Sequence, residues 1–425
     1  MKILIKNIDR ILQYREDPPQ TVEGEKMKEL PSLENAYIAI DEGVVKDVDS
    51  MENWPGIEDW RGLEVIDARG RMVMPAWIDS HSHIVYAGSR EKEFVDRIKG
   101  LSYEEIAARG GGILNSAELL RETSEGELFE AAMKRVDEVK SMGTGALEIK
   151  SGYGLSLESE LKMLRVADRI RRESNMTVRR TFLGAHAIPK EYKDERTSYV
   201  DLVVNEMIPQ VAEEGLADHV DVFCERGFFT KDESDRVLKA GIEHGMKAKV
   251  HANELDYSGG VQVGVENDAV SVDHLECTGD EEIESLKGSG TMPTLLPATA
   301  FFLKLDYPPA RQMIDAGLPV ALSTDYNPGS CPCGNMNLVN SLACIYMDML
   351  PEEAINASTI NSAYAMGLSE THGTVTPGRP ANLMITKPIP SYAYIPYAFG
   401  SDPIDTLILD GKLNIREKGE ALHEA

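Results

Sequence analysis

Eight short apolar runs, each ending in polar or titratable residues and separated by amphipathic stretches, dominate the middle of this chain. They fall at 74–79, 145–149, 178–183, 220–224, 248–250, 269–272, 291–295 and 320–322. Three intervening stretches carry apolar residues near the 3.6 spacing of a helix. These are 119–142 (Leu128, Ala132, Val136, Val139), 157–173 (Leu161, Leu164, Ala167, Ile170) and 233–244 (Val237, Leu238, Ile242). Parallel strands need crossover helices to bring the chain back. The pattern therefore predicts an α/β fold, with a (β/α)8 TIM-type barrel over 67–375. An open doubly wound sheet is the competitor, but the early-strand glycines do not form the GxGxxG or GxxxxGK[ST] loops of its nucleotide-binding version.

The two ends have a different texture. Strand-like pieces at 2–5, 37–41, 44–48 and 64–67 are separated by Gly, Pro and acidic turns, and similar pieces return at 381–386 and 406–409. Residues 1–66 and 376–425 are thus expected to build one small β-sandwich domain from both termini.

Charge narrows the partners. With 44 Lys and Arg against 71 Asp and Glu, the net charge of −27 repels phosphate backbones and anionic membranes. The opening Met1-Lys2-Ile3-Leu4-Ile5 has no signal-peptide pattern, and no run approaches the roughly 18 apolar residues of a membrane span. Five scattered cysteines (Cys224, Cys277, Cys331, Cys333, Cys344) suit a reducing compartment, so a cytoplasmic protein is expected.

Of nine histidines, five sit at or just past a predicted strand end: His81, His83, His186, His251 and His274. Asp325 follows the eighth run. In a barrel those ends converge on one mouth, where catalytic groups collect. His81-Ser82-His83 puts two imidazoles on one side of an extended segment. Alone that is a weak signal. With His251 and Asp325 in register it predicts a mononuclear cation site, which leaves a position for water. Glu254, three residues beyond His251, is placed as a general acid/base, and His274 as a ligand or proton carrier. Asp273 is expected to point out of the barrel. The fourth run ends Phe223-Cys224-Glu225 without a lysine, so no carbamylated lysine is offered there, while Cys224 or Glu225 could serve a second ion. His219, His244, His372 and His423 lack strand-end placement and are expected at the surface. Cys331-Pro332-Cys333 reads as loop.

Beyond these placements, whole motifs are recognisable. Val73-Met74-Pro75-Ala76-Trp77-Ile78-Asp79-Ser80-His81-Ser82-His83 resembles the first-strand signature of the amidohydrolase superfamily. Ala87-Gly88-Ser89-Arg90, Ser151-Gly152-Tyr153-Gly154, Gly184-Ala185-His186 and Asn327-Pro328-Gly329-Ser330 narrow the likeness to the imidazolonepropionase family of histidine degradation. The resemblance spans essentially the whole chain. It implies one Zn2+ or Fe3+ per subunit held by His81, His83, His251 and Asp325. It further implies that Arg90 grips a substrate carboxylate, that Tyr153, His186 and Glu254 contact substrate, and that Asn327, Gly329 and Ser330 hold the product end. Glu254, His274 and Asp325 would handle protons. The implied reaction is hydrolysis of 4-imidazolone-5-propanoate, an anionic imidazolone, to N-formimidoyl-L-glutamate, in a homodimer. A purine or pyrimidine aminohydrolase shares the His-x-His, His-x-x-Glu and strand-eight Asp, but gives Arg90 nothing to bind. A non-catalytic barrel scaffold would need none of the four ligand candidates, and all four are present.

Overall fold

The computed structural model describes residues 2–57, 61–101 and 112–414. Five strands open the chain: β1 (Lys2–Leu12), β2 (Ser32–Asp41), β3 (Val44–Ser50), β4 (Leu63–Asp67) and β5 (Met72–Pro75). Eight more follow: β6 (Trp77–Asp79), β7 (Thr144–Lys150), β8 (Thr177–Ala185), β9 (His219–Cys224), β10 (Lys247–Ala252), β11 (Ser271–His274), β12 (Met292–Leu295) and β13 (Ala321–Leu322). The chain returns to its first sheet with β14 (Leu383–Thr386), β15 (Ile404–Leu409) and β16 (Lys412–Asn414).

The terminal strands form one sheet in the order β16-β15-β14-β5-β1-β2-β3, with β4 beside β1. Ile3, Ile5, Ile8 and Ile11 of β1 pack with Ile38, Val73, Leu383 and Ile408 in a core of their own. The first apolar run serves two sheets rather than one. Up to Pro75 it pairs antiparallel with β14, and from Trp77 it pairs parallel with β7. Ala76 is the crossing between them.

β6 to β13 lie in sequential order as parallel neighbours, the predicted (β/α)8 barrel. Such strands are covered on both faces, and β7 is accordingly buried at all seven positions. The ends of the sheet meet at the mouth, where Asp325 N–H donates to His81 O at 3.0 Å and His83 N–H to Tyr326 O at 2.8 Å. Closure of the barrel thus sets the eighth-strand aspartate beside the first-strand histidines.

The expected single helix over 119–142 is two helices, Ile113–Glu122 and Glu125–Ser141. The break comes from Ser124, whose hydroxyl accepts from Glu127 N–H while Glu127 reaches back to Ser124 N–H. That capping box starts a new helix regardless of the apolar spacing across it. Among the described residues no helix is long and apolar enough to cross a membrane.

Candidate active site

Among the described residues His81, His83 and Asp325 bring their ligand atoms together at the mouth, and His251 adjoins this group through His83. His83 Nε2 lies 3.4 Å from His81 Nε2 and 3.4 Å from His251 Nε2, and Asp325 Oδ1 is 3.5 Å from both His81 Nε2 and His83 Nε2. Those separations allow the ligand atoms to lie about 2.0–2.1 Å from one shared ion. His83 Nδ1 has no hydrogen-bond partner, so the spacing of the rings fits either donation from His83 Nε2 or a shared ion. His81 Nδ1 is 2.7 Å from Asp273 Oδ2 and His251 Nδ1 is 3.0 Å from Asp221 Oδ2. A carboxylate only accepts, so Asp273 holds the His81 proton on Nδ1 and leaves its Nε2 a bare lone pair, while Asp221 faces His251 Nδ1 at ion-pair distance without hydrogen-bond geometry. Burial, then the positive charges nearby, keep His81 and His83 well below the ordinary imidazole range. Buried lone pairs aimed at one point are a site that fits a metal ion.

Asp273 corrects the expectation that it points outward. It is fully buried, bonded to His81 and to Ser271 Oγ, and close to Lys150. Strict alternation along β11 fails at its end because His274 has φ 87 and Leu275 φ 70. The chain turns there, so His274 reaches the mouth without driving Asp273 out. Asn253 (φ 56) and Asp325 (φ 56) are likewise left-handed, a conformation that Asn and Asp adopt readily.

His274 Nδ1 stands 3.9 Å from Glu254 Oε2 and 3.8 Å from Glu276 Oε2. Burial would lower its pKa, but Glu254, Glu276 and Asp325 raise it to about 10. Burial pushes Glu254 up to about 7; His274 opposes the shift, and Glu276 and Asp325 add to it. His274 also approaches His81 and His251 closely enough to form an alternative three-imidazole cluster. Asp325 Oδ2 accepts from Thr299 Oγ1 at 2.7 Å, and burial raises its pKa.

Beside the cluster lies a cavity of about 390 Å³. Arg90, Tyr153, His186 and Glu254 line it together with Asn327, Gly329 and Ser330. His186 donates from Nδ1 to Gly152 O at 3.0 Å, stacks on His83, and burial drops its pKa to about 3. Asn327 Oδ1 accepts from Gly329 and Ser330 N–H, both at 2.8 Å, which folds this loop into a tight turn.

Residues 72–413 match the sequence pattern of the amidohydrolase family. A relative named imidazolonepropionase, from Christiangramia forsetii, is 57% identical over 97% of this chain and 100% of its own length. The chain belongs to the amidohydrolase family, in its imidazolonepropionase group. A second relative of that name, from Flavobacterium johnsoniae, is 55% identical over the same shares. A 5-methylcytosine deaminase from Klebsiella pneumoniae, crystallised with 5-fluorocytosine, shares the fold of this amidohydrolase with TM-score 0.72. It is 17% identical over 100% of this chain and 99% of its own.

Two of the four histidines expected at this amidohydrolase's surface are buried. His219 starts a strand buried at all six positions, and His372 packs between Thr177 and Asn382, with Nε2 at 3.0 and 3.2 Å. His244 is exposed, and His423 lies outside the described residues. Neither Cys224 nor Glu225 joins the cluster: burial raises the Cys224 thiol, and Glu225 accepts from Arg226 and Leu255 N–H. Sequence reasoning misses Glu93, Arg97, Lys150, Asp221 and Lys249. For the last three a signal exists, since a charge inside a strand buried on both faces must find its partner in the barrel.

Proposed function

We propose that this amidohydrolase opens the ring amide of 4-imidazolone-5-propanoate to N-formimidoyl-L-glutamate. The observation that carries the reading is a guanidinium, Arg90, lining the same cavity as the groups beside the convergent imidazoles. A second, Arg97, lines it too, donating to Gly329 O at 2.7 Å. An anionic side chain on a small ring is what such a cavity recognises.

His81, His83, His251 and Asp325 would hold one Zn2+ or Fe3+, which supplies Lewis acidity to activate water and polarise the ring carbonyl. Arg90 binds the propanoate carboxylate through Nη1, the nitrogen that lies against Gly329. Tyr153, whose phenol burial keeps protonated, donates to the substrate, and His186 accepts at Nε2. Glu254 orients the ring. Asp325 takes a proton from the attacking water, and His274, an imidazolium between Glu254 and Glu276, delivers one to the leaving ring nitrogen. Water adds across the C–N bond, the carbonyl carbon becomes a carboxylate, and the turn of Asn327, Gly329 and Ser330 receives it.

The test is a direct assay with 4-imidazolone-5-propanoate alongside metal quantification. Formation of N-formimidoyl-L-glutamate with one metal ion per chain supports the reading. Ammonia release from cytosine or guanine, with the imidazolone left intact, would replace it with an aminohydrolase.

A further inference from the structure

Below the imidazoles the barrel interior holds two fully buried lysines, Lys150 and Lys249. Lys150 Nζ lies 2.6 Å from Asp221 Oδ2, 3.2 Å from Glu148 Oε1 and 3.5 Å from Asp273 Oδ2. Asp221 and Asp273 are the carboxylates behind the imidazoles, at 3.0 Å from His251 Nδ1 and 2.7 Å from His81 Nδ1. On each aspartate the same oxygen, Oδ2, faces both the ammonium and the ring. We propose that Lys150 is a positioning residue for the cation site, tying Asp221 and Asp273 to one point and thereby fixing the rings of His251 and His81 from behind.

The inference rests on the cation reading given above. An imidazole can turn about its Cβ–Cγ bond, and the partner of its Nδ1 decides where Nε2 aims. A carboxylate with one partner can swivel too. A fully buried ammonium among three carboxylates cannot, because each of its protons needs an acceptor and the group is sealed from bulk solvent. Lys150 therefore converts two separately adjustable rings into a preset pair. Lys249 fills the same interior without that reach. Its Nζ binds Glu148 Oε2 at 2.5 Å and Ser80 O at 2.8 Å, and stands 3.8 Å from Asp273 Oδ2.

The test measures Zn2+ affinity of the full chain by chelator competition, the absorption spectrum of the Co2+-loaded protein, and melting of the metal-stripped protein. Lys150→Met is expected to weaken Zn2+ binding about 10- to 100-fold and to alter the Co2+ spectrum. In an Asp221→Asn background the same change should cost clearly less, because the two residues act as a unit. Lys249→Met, matched for lost charge, should lower the melting temperature with a smaller effect on Zn2+. Should Lys150→Met alone fail to fold, Lys150→Met/Asp221→Asn is compared with Asp221→Asn. A further Zn2+ loss smaller than about tenfold supports the role, because only the hold on Asp273 remains to be lost, and a loss of about tenfold or more overturns it. Unchanged Zn2+ affinity in Lys150→Met, or equal losses in both backgrounds, also overturns it. A wild-type chain that holds no cation overturns the cation reading and this inference together. A wild-type chain that holds one, matched by Lys150→Met, overturns this inference alone.

Discussion

Glu93 holds Arg90 with both carboxylate oxygens, Oε1 to Nε at 2.9 Å and Oε2 to Nη2 at 2.6 Å. Oε1 also accepts from Gly112 N–H at 2.9 Å. Burial alone would raise the Glu93 carboxyl; the bonds from Arg90 and Gly112 hold it below its usual range instead. The fork of the guanidinium is therefore spent on aiming the side chain.

From this pairing Glu93→Gln is expected to raise KM for the anionic imidazolone about tenfold, the scale of one charged hydrogen bond, with little change in kcat. Arg90→Ala should cost more. Steady-state kinetics on a ring lacking the propanoate provides the check, since both variants should leave it nearly unaffected. Equal losses on both rings would reject carboxylate recognition by Arg90.

Cation removal should act on stability as well as rate. A ligand bound only by the folded chain stabilises it by about 2.7 kcal/mol at a hundredfold excess over Kd. Stripped protein is expected to melt several degrees lower and to lose activity, with both restored by adding metal back. His83→Ala and Asp325→Asn should show little of that metal-dependent rise. A full complement of metal in His83→Ala, measured by elemental analysis, would remove His83 from the site.

The barrel is readable because each strand is a short apolar run, and the mouth because a parallel barrel forces strand ends together. His81, His83, His251 and Asp325 need no more than that. Asp273 is misread because alternation holds only while the backbone stays extended, and His274 at φ 87 ends it. Glu93 escapes notice because a helix glutamate three residues after an arginine is normally a solvated pair, and nothing in the sequence says that this one is buried. Arg97 hides because a helix arginine is normally solvated, and nothing in the sequence says that this one lines a cavity. The join at Ala76 is invisible because a run that changes sheets has the same composition as one that does not.

The charge on His274 makes stability depend on pH in metal-stripped protein. Its folded pKa of about 10 lies above the ordinary 6.5, so the folded state holds the proton more tightly. The gain is full below about pH 6.5 and is lost as pH rises through about 10, at about 1.4 kcal/mol for each tenfold difference in proton affinity. Glu254 is raised to about 7 from 4.5, so in the wild type its own contribution falls with rising pH and is finished near 7, and because His274 holds it down the comparison is made with Glu254→Gln in both proteins. Denaturant melts of Glu254→Gln and Glu254→Gln/His274→Gln should therefore converge between about pH 7.5 and pH 10. A gap that stays constant across that range would mean that His274 is neutral in the fold.

Gly329 offers the sharpest separation of fold from recognition. Its φ is not in the left-handed region, so an alanine is tolerated by the backbone itself. The added methyl, however, would overlap Arg90 Nη1 and lie 2.8 Å from Arg90 Cζ. A long side chain can normally move aside at small cost. Here Glu93 pins the other edge of the guanidinium, so the group can only tilt out of its place in the cavity. Gly329→Ala is thus expected to melt within a few degrees of wild type, as substitutions outside a core do. Its KM for 4-imidazolone-5-propanoate should rise at least about tenfold, one charged contact's worth, while a ring without the carboxylate is processed as before. Adding Glu93→Gln loosens the edge of the guanidinium that Glu93 holds, so the double variant should lose less than the product of the two single losses. Multiplying losses would show that Gly329 and Arg90 do not compete for the same space.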